Sequence, residues 1–472
     1  MTAATVASRH GLSVAVVDEQ ATPGGQIWRS IEGTRQNDDV LGAAYVEGSE
    51  VSEAFRASGV TYLPGAQLWQ IERGFRAYMS EGGNSRTLDA RAMILATGAQ
   101  ERPVPFPGWT LPGVLTVGAA QILLKGSGQV PEGATWIAGS GPLPLLYAVQ
   151  LLRAGGSIAG YLDTTPGGRW ASALPHLAGA LRASGDLLKG LGWMNALRRS
   201  GTLRVSGAHS IEARGGGRLD HVRYMTRAGR EVVATADTLL VHEGVVPSIH
   251  AALSLGCEMR WSDAQDCFAP VVDEWGETTM ENLFVAGDGA GIAGAKAALL
   301  RGELAALRVA AKLDRLGGGD AVAAAWPVRR KLERELAPRP FLDAMFKPRQ
   351  EVFAPSDDTI VCRCEEVTAG SIRAVAKIGC PGPNQIKAST RAGMGPCQGR
   401  QCGYTITRLL SAAQGRSPED VGFNNIRPPL KPVTIGELAS LDSEVAYSDL
   451  KRADPDVTDA ANGTAAREGI AS

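Results

Sequence analysis

No stretch of this chain reaches the roughly 18 consecutive apolar residues that a membrane-spanning helix needs. Histidine and cysteine are scarce, six and seven in 472 residues. The histidines, at 10, 176, 209, 221, 242 and 250, share no metal-site spacing, and none lies among the clustered cysteines. That disfavours a mixed His-Cys site of the Rieske kind. Neither sign of charge dominates: 48 basic residues face 49 acidic ones, for a net charge of −1. Bulk charge therefore gives no reason to expect a nucleic-acid partner. A low, odd cysteine count excludes a disulfide framework and points to a reducing compartment. Met1 to Arg9 carries no basic stretch ahead of an apolar core, so no secretory signal is expected. The expectation is a cytoplasmic protein, membrane-associated only through partners. The length calls for two to four domains, and 58 glycines call for many tight turns.

Four of the seven cysteines form two close pairs, Cys362-Arg-Cys364 and Cys397-Gln-Gly-Arg-Gln-Cys402, separated by 32 residues (365–396). Two thiol pairs around a helix-sized insert are what a metal or iron–sulfur site requires. Four soft thiolates hold either zinc or an Fe–S cluster. Zinc pairs are usually spaced by two to four residues, so the single residue between Cys362 and Cys364 is tight for zinc. Cys257 and Cys267 are too far apart for a Cys-x-x-Cys dithiol and read, like the lone Cys380, as ordinary buried thiols.

The chain opens on a small-residue helix over 1–11, then a buried strand, Ser13 to Asp18-Glu19. That is the second half of a dinucleotide-binding βαβ unit, in which an acid ends the strand to take ribose hydroxyls. The Gly-rich first strand and turn are missing from the given sequence, and the expectation is that they lie upstream of Met1, with a genuine truncation as the alternative. Adjacent strand residues point to opposite faces, so one of Asp18 and Glu19 faces the ribose. In Pro23-Gly24-Gly25-Gln26-Ile27-Trp28-Arg29 two glycines let the backbone approach a flavin or its phosphates. Ala66 to Gln70, with Leu68 at its centre, alternates like a strand. Ala92 to Leu95 is a strand ending in Ala96-Thr97-Gly98, and Asn282 to Val285 a strand leading to Gly287-Asp288 before an alanine-rich helix.

Between those two strands lies a second α/β unit. Ala134–Ala138 is a strand, Gly139-Ser140-Gly141-Pro142 a turn, Leu145–Ala154 a helix and Ser157–Leu162 a strand ending at Asp163. Asp163 stands 22 positions past Gly141, near the spacing of a ribose-binding acid. Pro144 replaces the third glycine, and Pro is tolerated only in the first helical turn. NAD(P), another adenine nucleotide or nothing fits this turn. Leu239 to Pro247 closes the unit, with His242 read as a satisfied structural histidine. No catalytic acid or base for substrate chemistry is identified.

Residues 313–355 read as a connector, with Gly317 to Gly319 flexible, a charged helix over 328–336 and a stiff turn over 338–343. Thr368 is placed to cap a helix over 371–378. Cys397 and Cys402 straddle the start of a helix over 404–413, whose amide end suits an anionic cluster. Arg363, Lys387, Arg391 and Arg400 supply counter-charge. The tail over 441–472 is expected to be disordered. The resulting partition is 1–110 with 251–312 as a discontinuous nucleotide-binding domain, 111–250 as the second, 313–355 as connector, 356–415 as the cysteine domain and 416–440 as a docking segment.

The run Gly393-Met-Gly-Pro-Cys-Gln-Gly-Arg400, with the cysteine spacing, resembles the 2Fe–2S domain of bacterioferritin-associated ferredoxin. Together with Pro-Gly-Gly-Gln-Ile, Ala-Thr-Gly, Gly-Ser-Gly-Pro and Gly-Asp in that order, it resembles one family of heteromeric oxidoreductase components. That family contains the A subunit of opine oxidases, the α subunit of D-hydroxyproline dehydrogenase and the B subunit of hydrogen cyanide synthase. The resemblance implies an α/β fold with two Rossmann-like domains of the pyridine nucleotide-disulfide oxidoreductase type, first strand missing, plus a small helical 2Fe–2S domain. It implies FAD at Asp18, Glu19, Gly24, Gly25, Gln26, Arg29, Leu68, Ala96, Thr97, Gly98, Gly287 and Asp288. It implies a second nucleotide at Gly139, Gly141, Pro142 and Asp163, and the cluster on Cys362, Cys364, Cys397 and Cys402. The activity implied is electron transfer from a secondary amine or D-amino acid. A D-amino-acid-oxidase-like catalytic subunit, a small ferredoxin-like subunit and a quinone or respiratory acceptor are the implied partners. An NAD(P)H-driven reductase feeding a terminal oxygenase or reductase is the alternative, and a zinc-stabilised scaffold a third.

Overall fold

The computed structural model describes residues 1–33, 38–182 and 184–441, so all but the first residue of the tail expected to be disordered lies outside the described residues. Among them no helix is long and apolar enough to cross a membrane.

A five-stranded parallel sheet forms the middle of the chain. Its order is Leu203–Ser206, Gly160–Asp163, Thr135–Gly139, Thr238–His242, Val114–Thr116. Every residue of Thr135–Gly139 is buried, as the central strand of a sheet covered on both faces must be. Helices Val117–Ser127 and Pro142–Arg153 pack on one face through Val117, Leu124, Tyr147 and Leu151. A three-stranded antiparallel sheet, His209–Arg214, His221–Met225 and Glu231–Thr235, covers the other through Ile211, Val222 and Tyr224. Pro142 and Pro144 both fall in the first helical turn, where a missing N–H costs nothing.

The first nucleotide-binding region is built of parallel pairs. Ala15–Asp18 pairs with Thr61–Pro64, and Met93–Leu95 with Leu283–Val285. No described strand joins the two pairs. A meander of Gln67–Ile71, Arg76–Glu81 and Asn84–Asp89 lies beside them. Helices Thr2–Arg9 and Ala295–Lys312 bury Val6, Ala7, Leu304 and Leu307 against each other.

Two expectations for the connector are corrected. Gly318 and Gly319 are not flexible linker but the first residues of the helix Gly318–Leu336, whose interior run Ala321–Ala325 favours the helix. The turn expected at 338–343 is the helix Arg339–Met345; its proline sits in the first turn, pre-set for helix, and Phe341 is buried. The Thr368 cap forms, its hydroxyl accepting the Ser371 amide at 3.3 Å. The cysteine-bearing region packs helices Ala369–Lys377, Pro383–Thr390 and Gly403–Gln414 around Ile372, Ile386, Ile406 and Leu410.

From there the chain returns over the molecule. The Leu430 amide donates to the Trp69 carbonyl at 2.6 Å, Gln67 Nε2 donates to the Pro432 carbonyl at 2.9 Å, and Lys431 pairs with Glu19. Further on, the Ser85 amide donates to Ser440 Oγ at 2.9 Å.

Candidate redox sites

Parallel pairing of Met93–Leu95 with Leu283–Val285 sets Ala96-Thr97-Gly98 beside Gly287-Asp288-Gly289. The turns touch: a methyl on Gly289 would lie 3.4 Å from Thr97 Oγ1 and 3.6 Å from the Gly98 carbonyl. Asp288 Oδ1 accepts the amides of Ala293 and Gly294 at 2.8 and 2.9 Å, fixing the turn that opens the next helix. Arg301, in the second turn of that helix, donates to the Gly287 and Gly291 carbonyls at 3.0 and 2.6 Å. Burial lowers its pKa.

Of the two neighbouring acids, Asp18 is held by groups of its own strand pair and the turn that follows. Its carboxylate accepts the Gln20 amide at 2.9 Å and the Tyr62 hydroxyl at 3.3 Å. Burial, with Asp18 next, raises the Tyr62 pKa and keeps that proton in place. Glu19 is turned to Lys431. Leu68 is half-buried on its strand, opposite Met79.

The Pro-Gly-Gly loop is locked by its own tryptophan. Gly24 has φ +125°, and a methyl there would fall 2.1 Å from the Trp28 carbonyl, so only glycine fits. Trp28 Nε1 donates to the Ala44 carbonyl at 3.1 Å, and the Tyr45 hydroxyl to the Arg29 carbonyl at 2.7 Å. Lys125, buried in helix Val117–Ser127, donates to the Gln26 and Ile27 carbonyls at 3.1 and 2.9 Å and to Gln121 Oε1 at 3.1 Å. Burial and then the Arg29 charge push its pKa down to about 8. Gln26, Ile27 and Gly25 stay at the surface of the loop, Ile27 43 % exposed. This is a fixed, apolar-tipped backbone shelf of the kind a flavin ring can lie on.

At the second turn a methyl on Gly139 would meet the His242 carbonyl at 2.3 Å, the closeness that the turn glycine serves. Asp163 is already engaged: Arg204 Nη2 stands 2.9 Å from one oxygen and the Thr165 amide donates to the other at 3.1 Å. Beside the turn His242 Nδ1 pairs with Glu101 at 2.6 Å, and the Gly118 amide caps the second Glu101 oxygen at 2.8 Å. His242 is therefore a satisfied buried histidine.

The four clustered cysteines converge. Cys362 ends strand Ile360–Cys362, and Cys402 is the N-cap of helix Gly403–Gln414. The Cys362 and Cys402 thiols interact with each other, as do those of Cys364 and Cys397. The Cys402 thiol, with backbone amides led by Gly393 at 3.5 Å, lowers the Cys362 pKa to about 6, while the Cys362 thiol and then burial raise that of Cys402. Here the thiols stand in for thiolate ligands. No three such side chains among the described residues close around one metal ion; the thiols stand as two pairs. Two pairs of soft donors match two irons with two thiolates each. Of the expected counter-charges, Arg391 is exposed and spent on Glu365 at 2.8 Å, whereas Arg400 is part-buried and donates to the Cys397 carbonyl at 3.1 Å. Cys380 stands apart, donating to the Gly382 carbonyl.

The two sites are bonded together. Gln100, two residues past Gly98, donates through Nε2 to the Arg400 carbonyl at 2.9 Å. The Ser248 amide donates to the Gly98 carbonyl at 2.9 Å, and His250 Nε2 meets the Gln398 carbonyl at 3.2 Å. Sequence reasoning missed Gln100, His250, Lys125, Arg301 and Arg204. Only Lys125 left a trace, as a lysine in register with the buried face Val117, Gln121, Leu124.

Residues 1–310 match the pyridine nucleotide-disulphide oxidoreductase family, and residues 360–412 the BFD-like [2Fe-2S] binding domain. The chain is 43% identical over 454 residues to the A subunit of opine oxidase from Agrobacterium tumefaciens (strain Ach5), covering 93% of this chain and 89% of that one. The hydrogen cyanide synthase component HcnB of Pseudomonas aeruginosa is 32% identical, with 94% and 97% covered. The solved L-proline dehydrogenase of P. horikoshii superposes with a TM-score of 0.68 at 18% identity, over 93% of this chain and 76% of that one, which shows a shared fold.

Proposed function

The chain belongs to the pyridine nucleotide-disulphide oxidoreductase family and is an FAD-dependent oxidoreductase with a 2Fe–2S domain, and from that premise we propose that it is the electron-relaying subunit of a heteromeric amine dehydrogenase. A D-amino-acid-oxidase-like partner oxidises a secondary amine or D-amino acid of the opine or hydroxyproline kind. This chain takes the electrons and delivers them to a respiratory acceptor, with a small ferredoxin-like subunit in the assembly. It works in the cytoplasm, held at a membrane only by its partners. The domain partition set out above is part of this reading.

Bound FAD supplies two-electron acceptance with one-electron release, and a 2Fe–2S cluster takes one electron at a time. The residues divide the work of holding them. Asp18 accepts ribose hydroxyls. Gly24 and Gly25 let the shelf Gln26–Arg29 approach the ring, with Lys125 holding that shelf by two carbonyls. Ala96-Thr97-Gly98 and Gly287-Asp288 face the phosphate and ribityl side, and Leu68 the adenine. Cys362, Cys364, Cys397 and Cys402 ligate iron, and the amide end of helix Gly403–Gln414 favours their negative charge.

The single observation that carries this reading is the direct hydrogen bonding of the Ala-Thr-Gly turn region to the Cys397–Cys402 loop, through Gln100 and His250. It supports a relay inside one polypeptide. No residue in the site region is placed as a substrate acid or base, which supports a separate catalytic subunit. The likeness to the A subunit of opine oxidase over most of both chains supports the amine route over the nicotinamide-driven reductase. Anaerobic mixing decides. NADH and NADPH should leave the flavin oxidised, whereas the co-expressed catalytic subunit plus an opine or hydroxyproline should bleach it. Rapid bleaching by NAD(P)H alone, or full amine dehydrogenase activity from this chain alone, would overturn the proposal.

A further inference from the structure

Twelve residues past the end of the BFD-like match, the segment leaving helix Pro418–Val421 turns back over the cysteines. Asn424, on that segment, is only 1 % exposed, and neither its Nδ2 nor its Oδ1 has a hydrogen-bond partner. A buried carboxamide without partners is costly and calls for an explanation, of which a group outside the chain that completes it is one.

The side chain has no route to water. Its neighbours are pinned: the Asn425 amide donates to Asn384 Oδ1 at 2.9 Å, and Thr407 Oγ1 to the Gly422 carbonyl at 2.8 Å. The Phe423 ring packs against Tyr404 and Phe268 at 5.1 and 6.0 Å between centroids. The amide is aimed at the ligand loop. Nδ2 lies 2.8 Å from where a methyl on Gly393 would stand and 2.9 Å from the same point on Gly399, and Cys402 Sγ is 3.8 Å from the Gly393 point. Two glycines thus leave the room that this amide occupies beside Cys402.

We propose that Asn424 donates a side-chain N–H hydrogen bond to a sulfur of the 2Fe–2S cluster on its Cys402 side, and that this bond raises the cluster's reduction potential. The inference rests on the reading that these cysteines hold the cluster. Hydrogen bonds to cluster sulfurs stabilise the more negative, reduced state, so they move the potential upward. The amide is a positioning and tuning group; it does not ligate iron.

The test uses the full chain with its cluster intact. Asn424→Leu keeps the volume and loses the donors; Asn424→Asp keeps the shape, loses the donors and adds negative charge. In EPR-monitored redox titration, Leu should lower the reduced-to-oxidised ratio at fixed potential roughly tenfold, about 59 mV for one electron, and Asp by at least as much. A purely structural role would alter cluster yield without this ordered shift. A measurement on the unaltered chain removes any dependence on how the variants fold. With heavy nitrogen only in asparagine side-chain amides, pulsed EPR of the reduced cluster should show a nitrogen coupling. Unchanged potentials, or no such coupling where a cluster signal is present, overturns the inference. Absence of any iron–sulfur signal in the unaltered chain instead overturns the cysteine assignment beneath it.

Discussion

Replacing Gly395 with alanine should empty the iron–sulfur site and leave the flavin in place. Gly395 sits two residues before Cys397, and a methyl on it would lie 2.3 Å from Cys364 Cβ and 3.3 Å from Cys364 Sγ. Carbon atoms pack at about 3.5–4.0 Å, so the two must separate by about 1.2 Å or more. Metal–ligand distances tolerate only about 0.2 Å of error. The loop has little freedom to yield, because Pro396 follows and restricts the backbone of residue 395. Gly395 does not have a left-handed φ, so an alanine there would suffer from the contact alone and not from backbone strain. Overpacking of this kind costs about 1–3 kcal/mol of stability, well short of unfolding a chain this large. Iron, acid-labile sulfide and FAD per chain should be measured on one anaerobic preparation. Iron and sulfide should fall by most of their value, with FAD unchanged. Gly319→Ala serves as control: its methyl meets nothing within 4 Å in the helix Gly318–Leu336, and it should retain both cofactors. Full iron content in Gly395→Ala would refute the placement of Cys364 as a ligand against that turn.

Two more outcomes follow from buried groups. Lys125→Met should weaken FAD binding roughly tenfold or more, since it strips donors from two carbonyls of the Gln26–Ile27 shelf at about 1–3 kcal/mol each; equilibrium titration of the apoprotein with FAD checks this. His250 is held neutral, its pKa pushed down to about 3 by burial and then by Arg400. The unfolded chain takes up that proton below about pH 6.5 and the folded one does not, so its contribution is intact above that pH and is lost as pH falls towards 3, at up to roughly 1.4 kcal/mol per unit. His250→Gln should therefore flatten the acid limb of a plot of melting temperature against pH; an unchanged limb refutes the buried, neutral assignment.

What could be read from the residues was what local patterns encode. The strands ending in Asp18, Ala-Thr-Gly and Gly-Asp are short apolar runs closed by turn residues, and the cysteine pairs are visible as spacing. What could not be read was every contact made by a long side chain across the fold. Lys125 reaches a loop 98 residues away, Arg204 meets Asp163 from a neighbouring strand, and His250 meets a loop 148 residues on. Such bonds depend on which surfaces meet, and no period or motif announces that. The connector went wrong for a different reason: glycine and proline were read as breakers, yet both are compatible with the first turn of a helix.

The return of the chain after Asn424 has a mechanical consequence. Arg400, Leu430, Lys431, Pro432 and Ser440 fasten that stretch from the Cys397–Cys402 loop to the meander and to Glu19. A carrier that swung its small lobe out to meet an acceptor would have to unpick this lashing at every turnover. Any movement of the cysteine-bearing region against the nucleotide-binding region therefore has to break these bonds.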